Sequence, residues 1–251
     1  MQEAFSLSGR RALITGASRG IGRGIALAFA EAGADVAIAA TDSRKLDDVA
    51  VEARRCGGSA HPITVDLADV DAVLDMVDRA HSALGGLDVL VNNAAIHGGD
   101  ASTDTSAEEF ERMVNVNLRA PVFAAQRAGA YMRAVGRGVI INISSTAAAR
   151  GLGVYGAVKS GLESFTEGLA REWGPAGIRV VAIQPGLIST DATASLERDS
   201  ERLERFLSQT HLGRIGQPRD VAGAAVFLAS DAASFITGVV LPVSGGRVYK
   251  L

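Results

Sequence analysis

Short apolar runs alternate with longer amphipathic stretches along most of this chain. The run Ala12-Leu13-Ile14 reads as a buried strand. The spacing then turns helical, with Ile21, Ile25, Ala28, Phe29 and Ala32 on one face. Further strands are predicted over 36–40, 60–65, 87–91, 139–143, 180–184 and 239–243. Helices are predicted over 44–55, 70–84, 106–135, 154–173 and 220–229. The helix over 106–135 opens on Ser106 with Glu109 three residues later, a capping-box signature, and Pro121 inside it is expected to bend it. Strands alternating with helices of this length predict βαβ units. The fold class is therefore α/β, one doubly wound parallel sheet with helices on both faces.

One stretch breaks the alternation. Residues 191–211 are rich in charge and carry helical apolar spacing at Leu196, Leu203, Phe206 and Leu207. Two readings stand: a cover over the substrate, spanning 187–212, or a solvated surface helix. In either case residues 1–251 read as one domain, a size that doubly wound folds reach without splitting.

Composition narrows the partners. The chain is 47% hydrophobic and 21% charged, with a net charge of -3, so it lacks the basic excess that binds nucleic acid independently of sequence. Cys56 is the only cysteine, which excludes an intrachain disulfide and favours a cytoplasmic setting; it is expected to be packed at a helix end. Residues 1–9 show no apolar signal core, and the longest apolar stretch, 221–229, is about half the ~20 residues of a membrane span. No membrane partner and no metal site are expected.

The turn after the first strand is the first chemical signal. Gly16, Gly20 and Gly22 remove side chains where strand meets helix and leave the first helical amides bare, a setting that attracts phosphate. The spacing is Gly-x-x-x-Gly-x-Gly and does not match the dinucleotide fingerprint literally, so a purely structural corner remains the alternative. In an open parallel sheet, ligands bind beyond the carboxyl ends of the strands. That rule singles out Thr15 to Gly22, Ala40 to Asp42, Asp66, Asn93, Ser145 and Pro185 to Thr190.

The second signal is Tyr155 with Lys159, four apart and so on one helical face. A phenol titrates near ~10, and a neighbouring ammonium lowers such a pKa by roughly 1 to 3 units, toward useful proton transfer. Ser145, ending the preceding strand, is placed to donate to a substrate oxygen while charge builds on it. A surface coincidence is the alternative for the pair alone. His97, after the fourth strand, reads as a solvent-facing loop residue or a substrate contact.

Taken together the motifs resemble the short-chain dehydrogenase/reductase family, including its 3-oxoacyl-[acyl-carrier-protein] reductases. The resemblance runs from Leu7 to Gly246. It rests on Thr15-Gly-Ala-Ser-Arg-Gly-Ile-Gly22, Asp66-Leu67, Asn92-Asn-Ala-Ala95, Asn117, Ser145, Tyr155-x-x-x-Lys159 and Pro185-Gly186 with Thr190. It implies a Rossmann-type sheet of about seven strands and an NAD(P)-dependent oxidoreductase acting on a carbonyl or alcohol. Tyr155 is then the general acid/base, Ser145 the carbonyl orienter, Lys159 a ribose ligand that lowers the tyrosine pKa, and Asn117 the holder of a relay water. Cofactor contacts are implied for Gly16, Ser18, Arg19, Gly20, Ile21, Gly22, Thr41, Asp66, Leu67, Asn93, Ala94, Pro185, Gly186, Ile188 and Thr190. A homotetramer or homodimer is also implied. A non-catalytic dinucleotide-binding protein is the rival reading.

Three positions depart from the family pattern. Ala95 stands where glycine is usual. Ser145 is only ten residues before Tyr155, a shortened loop that leaves open the choice between Ser144 and Ser145. Ser244 replaces the usual aspartate before the late glycine pair. The choice of cofactor turns on the end of the second strand, where an acid would accept from a ribose hydroxyl. That position is Ala40, and Arg19 and Thr41 are placed for a 2′-phosphate, so NADP is expected, with NAD the alternative. Asp42, twenty residues beyond Gly22, is the competing ribose acid.

Overall fold

A computed structural model describes residues 2–97 and 104–247. In chain order its elements are β1 (Arg11–Thr15), α1 (Gly20–Glu31), β2 (Asp35–Ala40), α2 (Ser43–Arg54), β3 (Ala60–Thr64), α3 (Val70–Leu84) and β4 (Val89–Asn92). Next come α4 (Ala107–Val114), a π-helical turn (Asn115–Arg119), α5 (Ala120–Val135), β5 (Gly138–Ile143), α6 (Thr146–Arg150), α7 (Gly153–Trp173) and β6 (Ile178–Pro185). The chain finishes with α8 (Ala194–Arg198), α9 (Ser200–Leu207), α10 (Pro218–Ala229) and β7 (Val240–Val243).

The seven strands form one sheet in the order β3-β2-β1-β4-β5-β6-β7, with every neighbouring pair parallel. The chain reverses direction across the sheet between β1 and β4, where a doubly wound fold opens its ligand crevice. The pleat divides the strand residues between two cores. Ala12 and Ile14 face the side packed by Ile25 and Phe29 of α1, Leu46 of α2 and Val221 and Leu228 of α10. Leu13 faces the opposite side with Met76 of α3, Met132 of α5 and Trp173 of α7.

Local chemistry sets the helix ends. Asp42 and Asp69 accept amide hydrogens at the starts of α2 and α3, and Ser106 Oγ accepts from Glu109 N at 3.1 Å, the forward half of the predicted capping box. Gly85 and Gly136 close α3 and α5 in the left-handed conformation.

The helix predicted over 106–135 is two helices joined by the π-helical turn. Pro121 has no N–H to give the Asn117 carbonyl, the acceptor an unbroken α-helix would assign it. The ladder widens there, and Ala120 N–H reaches the Asn115 carbonyl. The short α6 lies where the sequence pattern shows only a loop. Cys56 is exposed just beyond α2, where a packed thiol was expected, because the residues after Arg54 turn outward instead of into the core. Among the described residues, no helix is long and apolar enough to cross a membrane, and no group of three His, Cys, Asp or Glu is placed to hold a metal.

Candidate active site

The glycine turn is shaped by close backbone approach. Gly16 and Gly20 lie at φ of 66° and 56°, where a Cβ is strained. A Cβ on Gly22 would collide with the Gly16 carbonyl oxygen and with Asn93 Nδ2. Asn93 ties the turn to β4: its Nδ2 donates to the Thr15 carbonyl at 2.8 Å, and the Asn93 and Ala94 amides donate to Thr15 Oγ1 at 3.0 and 3.1 Å. Arg19 occupies the N-cap of α1 and makes no side-chain cap hydrogen bond. Ser18 and Ile21 flank this opening, Ile21 leaning on the core.

Facing the turn is the segment after β6. Gly186 N donates to the Val243 carbonyl at 3.0 Å, and Ile188 is buried. The Thr190 amide donates to Thr193 Oγ1 at 2.9 Å, and a Cβ on Gly20 would lie 3.2 Å from the Thr190 methyl. Arg19 reaches across to Asp191 at 3.4 Å.

At the distal end, β2 stops at Ala40 as the sequence predicts, and Thr41 is exposed. Asp42 caps α2, its Oδ1 accepting from Lys45 N at 3.1 Å. Asp66 is exposed and turns back on the Ala68 amide at 3.0 Å, with Leu67 buried beside it. Pro185 closes β6.

Three consecutive residues at the end of β5 meet one face of α7. Ser145 caps α6, its Oγ accepting from Ala147 N at 3.1 Å, and lies beside the phenol of Tyr155. Ser144 Oγ instead donates to Glu163 Oε1 at 2.6 Å. The Ile143 carbonyl accepts from Lys159 Nζ at 2.7 Å. Lys159 is fully enclosed, and its ammonium lies 5.8 Å from the Tyr155 ring centroid.

One sequence expectation is corrected here. The phenol of Tyr155 is pushed above its usual range by burial, with the Ser145 hydrogen bond opposing; it is not lowered by Lys159. Burial also pulls the pKa of Lys159 down, to about 8, against the field of Glu163. Asn117 is fully buried in the π-helical turn, its side-chain amide bonded at both ends to the Ile96 backbone at 2.8 Å. His97 is exposed, yet its ring lies against that of Tyr155. Sequence reasoning missed Glu163, although its place one turn beyond Lys159 was visible.

Residues 16–247 match the family described as Enoyl-(Acyl carrier protein) reductase. The chain is 37% identical to gluconate 5-dehydrogenase of Gluconobacter oxydans, covering 99% of this chain and 98% of that protein. This chain belongs to the short-chain dehydrogenase/reductase family. It is also 39% identical to a 3-oxoacyl-[acyl-carrier-protein] reductase of Staphylococcus aureus, over 94% of this chain and 97% of that one. A gluconate 5-dehydrogenase from Burkholderia cenocepacia, solved with NADP and tartrate, superposes with a TM-score of 0.94 at 33% identity, covering 100% of this chain and 99% of that one. Short-chain dehydrogenase/reductase relatives over the whole length support an oxidoreductase that moves hydride between a nicotinamide and a ketone or secondary alcohol, and they count against the non-catalytic rival.

Proposed function

We propose that this oxidoreductase uses Tyr155 as general acid/base on a ketone or secondary alcohol, with NADP(H) as the preferred cofactor. The observation that carries the reading is the convergence of Ser145, Tyr155 and Lys159 at the end of β5, on the same edge of the parallel sheet as the glycine turn after β1. In reduction, Ser145 Oγ and the phenol hold the carbonyl oxygen, and Tyr155 passes its proton to that oxygen. The nicotinamide supplies the hydride, or receives it in oxidation. A phenol kept protonated by burial is suited to the acid role. Lys159 holds the ribose.

Gly16, Ser18, Arg19, Gly20, Ile21 and Gly22 cradle the pyrophosphate. Asp66 and Leu67 border the adenine, Asn93 and Ala94 the ribose side, and Pro185, Gly186, Ile188 and Thr190 the nicotinamide. Asn117 holds a relay water. NADP is favoured because Ala40 leaves the end of β2 without an acid and Arg19 and Thr41 stand open to a 2′-phosphate. Residues 187–212 are the proposed substrate cover; in support, Phe206 of α9 lines a cavity of about 370 Å3 together with Ile188 and Leu212. The polar alcohols named for the gluconate dehydrogenase relatives and the 3-oxoacyl thioesters are the substrate classes to try first.

A homotetramer or homodimer, formed through α5, α7 and β7 in a cytoplasmic setting, fits the exposed Phe235 and Val239 beside β7; light scattering tests it. The function itself is tested by following NADPH oxidation across a panel of ketoacids, simple ketones and 3-oxoacyl thioesters. Turnover on at least one is expected. Tight NADPH binding with no turnover on any would contradict the proposal.

A further inference from the structure

The face of α7 that carries Tyr155 and Lys159 continues to Glu163, so the three side chains lie at successive four-residue steps. Each engages a neighbouring residue at the end of β5. Tyr155 meets Ser145, Lys159 meets the Ile143 carbonyl, and Glu163 Oε1 accepts from Ser144 Oγ at 2.6 Å. The same oxygen accepts from Gln184 Nε2 at 2.8 Å, on the neighbouring strand β6. One carboxylate thus joins the ends of two strands directly behind the proposed reacting groups. It is also the charge whose field opposes the loss of the Lys159 proton.

We propose that Glu163 is a positioning residue of this enzyme, fixing the Ser144-Ser145 corner through its two hydrogen bonds and setting its charge one helical turn from Lys159. The inference rests on the roles given above to Tyr155 and Lys159. Few other groups are placed to do this. From β5 the pair is faced by a hydroxyl and a carbonyl, from β6 by the Gln184 amide, and on α7 by Tyr155. Elsewhere against α7, Arg150 of α6 is exposed, and Arg119 of the π-helical turn is directed to the Ala68 carbonyl at 2.7 Å. Glu108, Glu111 and Arg112 of α4 are exposed and Glu109 is half-buried, while the turn after α7 carries no charge.

The chain has three lysines, Lys45, Lys159 and Lys250, so protein labelled with [13Cε]lysine reports Lys159 in a simple spectrum without any cofactor or substrate. In the wild type the Lys159 resonance is expected to titrate near pH 8. In Glu163→Gln, which keeps the size and the accepting oxygen but removes the charge, it is expected to titrate about one unit lower. Glu163→Asp, which keeps the charge, restores most of that shift, and Ser144→Ala, which leaves the carboxylate in place, moves it little. The alkaline fall of kcat/KM moves with the resonance. A folded Glu163→Gln protein whose Lys159 titrates as in the wild type overturns the inference, as does an equal shift in Ser144→Ala. Wild-type protein without turnover on any ketone defeats the proposed reaction instead, leaving the resonance to judge the Glu163–Lys159 coupling by itself.

Discussion

The imidazole of His97 packs against the phenol ring of Tyr155, with ring centroids 4.7 Å apart and planes inclined by 45°. The loop after β4 thereby braces the side chain that Ser145 holds from the end of β5. An aromatic pair of this kind contributes about 0.5–1.5 kcal/mol, or about two- to tenfold in a rate that depends on the ring's placement. His97→Ala is expected to lower kcat/KM by that factor with the NADPH dissociation constant unchanged, and His97→Phe to preserve it. Steady-state kinetics decide: equal losses in both variants would assign the imidazole a polar role, and no loss in either would remove the brace.

The glycine turn makes a stricter demand. Gly22→Ala places a methyl against the Gly16 carbonyl and Asn93 Nδ2, both parts of the link between β1 and β4. The turn must open, at a cost of about 1–3 kcal/mol, and NADPH affinity is expected to fall more than about tenfold. Gly223 in α10 meets nothing within 4 Å, so Gly223→Ala is expected to stabilise the fold by about 0.5–1 kcal/mol. Thermal melts of the two variants should move in opposite directions, and NADPH titration should weaken only for Gly22→Ala; a harmless Gly22→Ala would disprove the packing argument.

Cofactor choice is testable at two residues. The Arg19 pair with Asp191 is long and exposed on both sides, so it surrenders the guanidinium readily to a phosphate. Charge-assisted hydrogen bonds of this kind contribute about 1.5–3 kcal/mol, so Arg19→Ala should cost NADPH about ten- to a hundredfold in kcat/KM and NADH little. Ala40→Asp should reverse the preference, because its carboxylate accepts from a ribose hydroxyl and repels a 2′-phosphate. A wild type that uses NADH as well as NADPH, or an Arg19→Ala variant that loses both equally, would contradict the assignment.

Lys159 also predicts how stability depends on pH. Its folded pKa of about 8 lies below the 10.5 of the free side chain, so between those values the unfolded chain binds the extra proton. Stability therefore rises with pH across this window and gains nothing from Lys159 below it. Relative to Lys159→Met, the wild type should gain up to about 3 kcal/mol between pH 7.5 and 10. Urea unfolding of both proteins at the two pH values checks the sign, and a flat or falling difference would contradict it.

The sequence pattern carried the fold because every strand of this sheet is a short apolar run and every large helix has a buried stripe. Periodicity reports both. It did not carry the break at Asn115–Arg119. Pro121 was visible, but a bent helix and a widened turn present the same apolar spacing, and only the hydrogen-bond ladder separates them. The short α6 was hidden for a similar reason: Thr146-Ala-Ala-Ala-Arg150 is too brief to show a period. In the site, residues that act through their own backbone or spacing were legible, among them Gly16, Gly22, Tyr155 and Lys159. Contacts made by folding were not. The meeting of His97 with Tyr155 and the division of labour between Ser144 and Ser145 depend on where distant loops come to rest.

The account depends above all on the hydroxyl of Tyr155. Tyr155→Phe removes that oxygen alone and leaves the ring against His97, so the measurement is its single-turnover rate with NADPH and an active ketone, beside its NADPH dissociation constant. The rate is expected to fall by about a hundredfold or more with cofactor binding within about threefold of the wild type. A Phe variant that reduces the ketone at close to the wild-type rate would contradict the central claim.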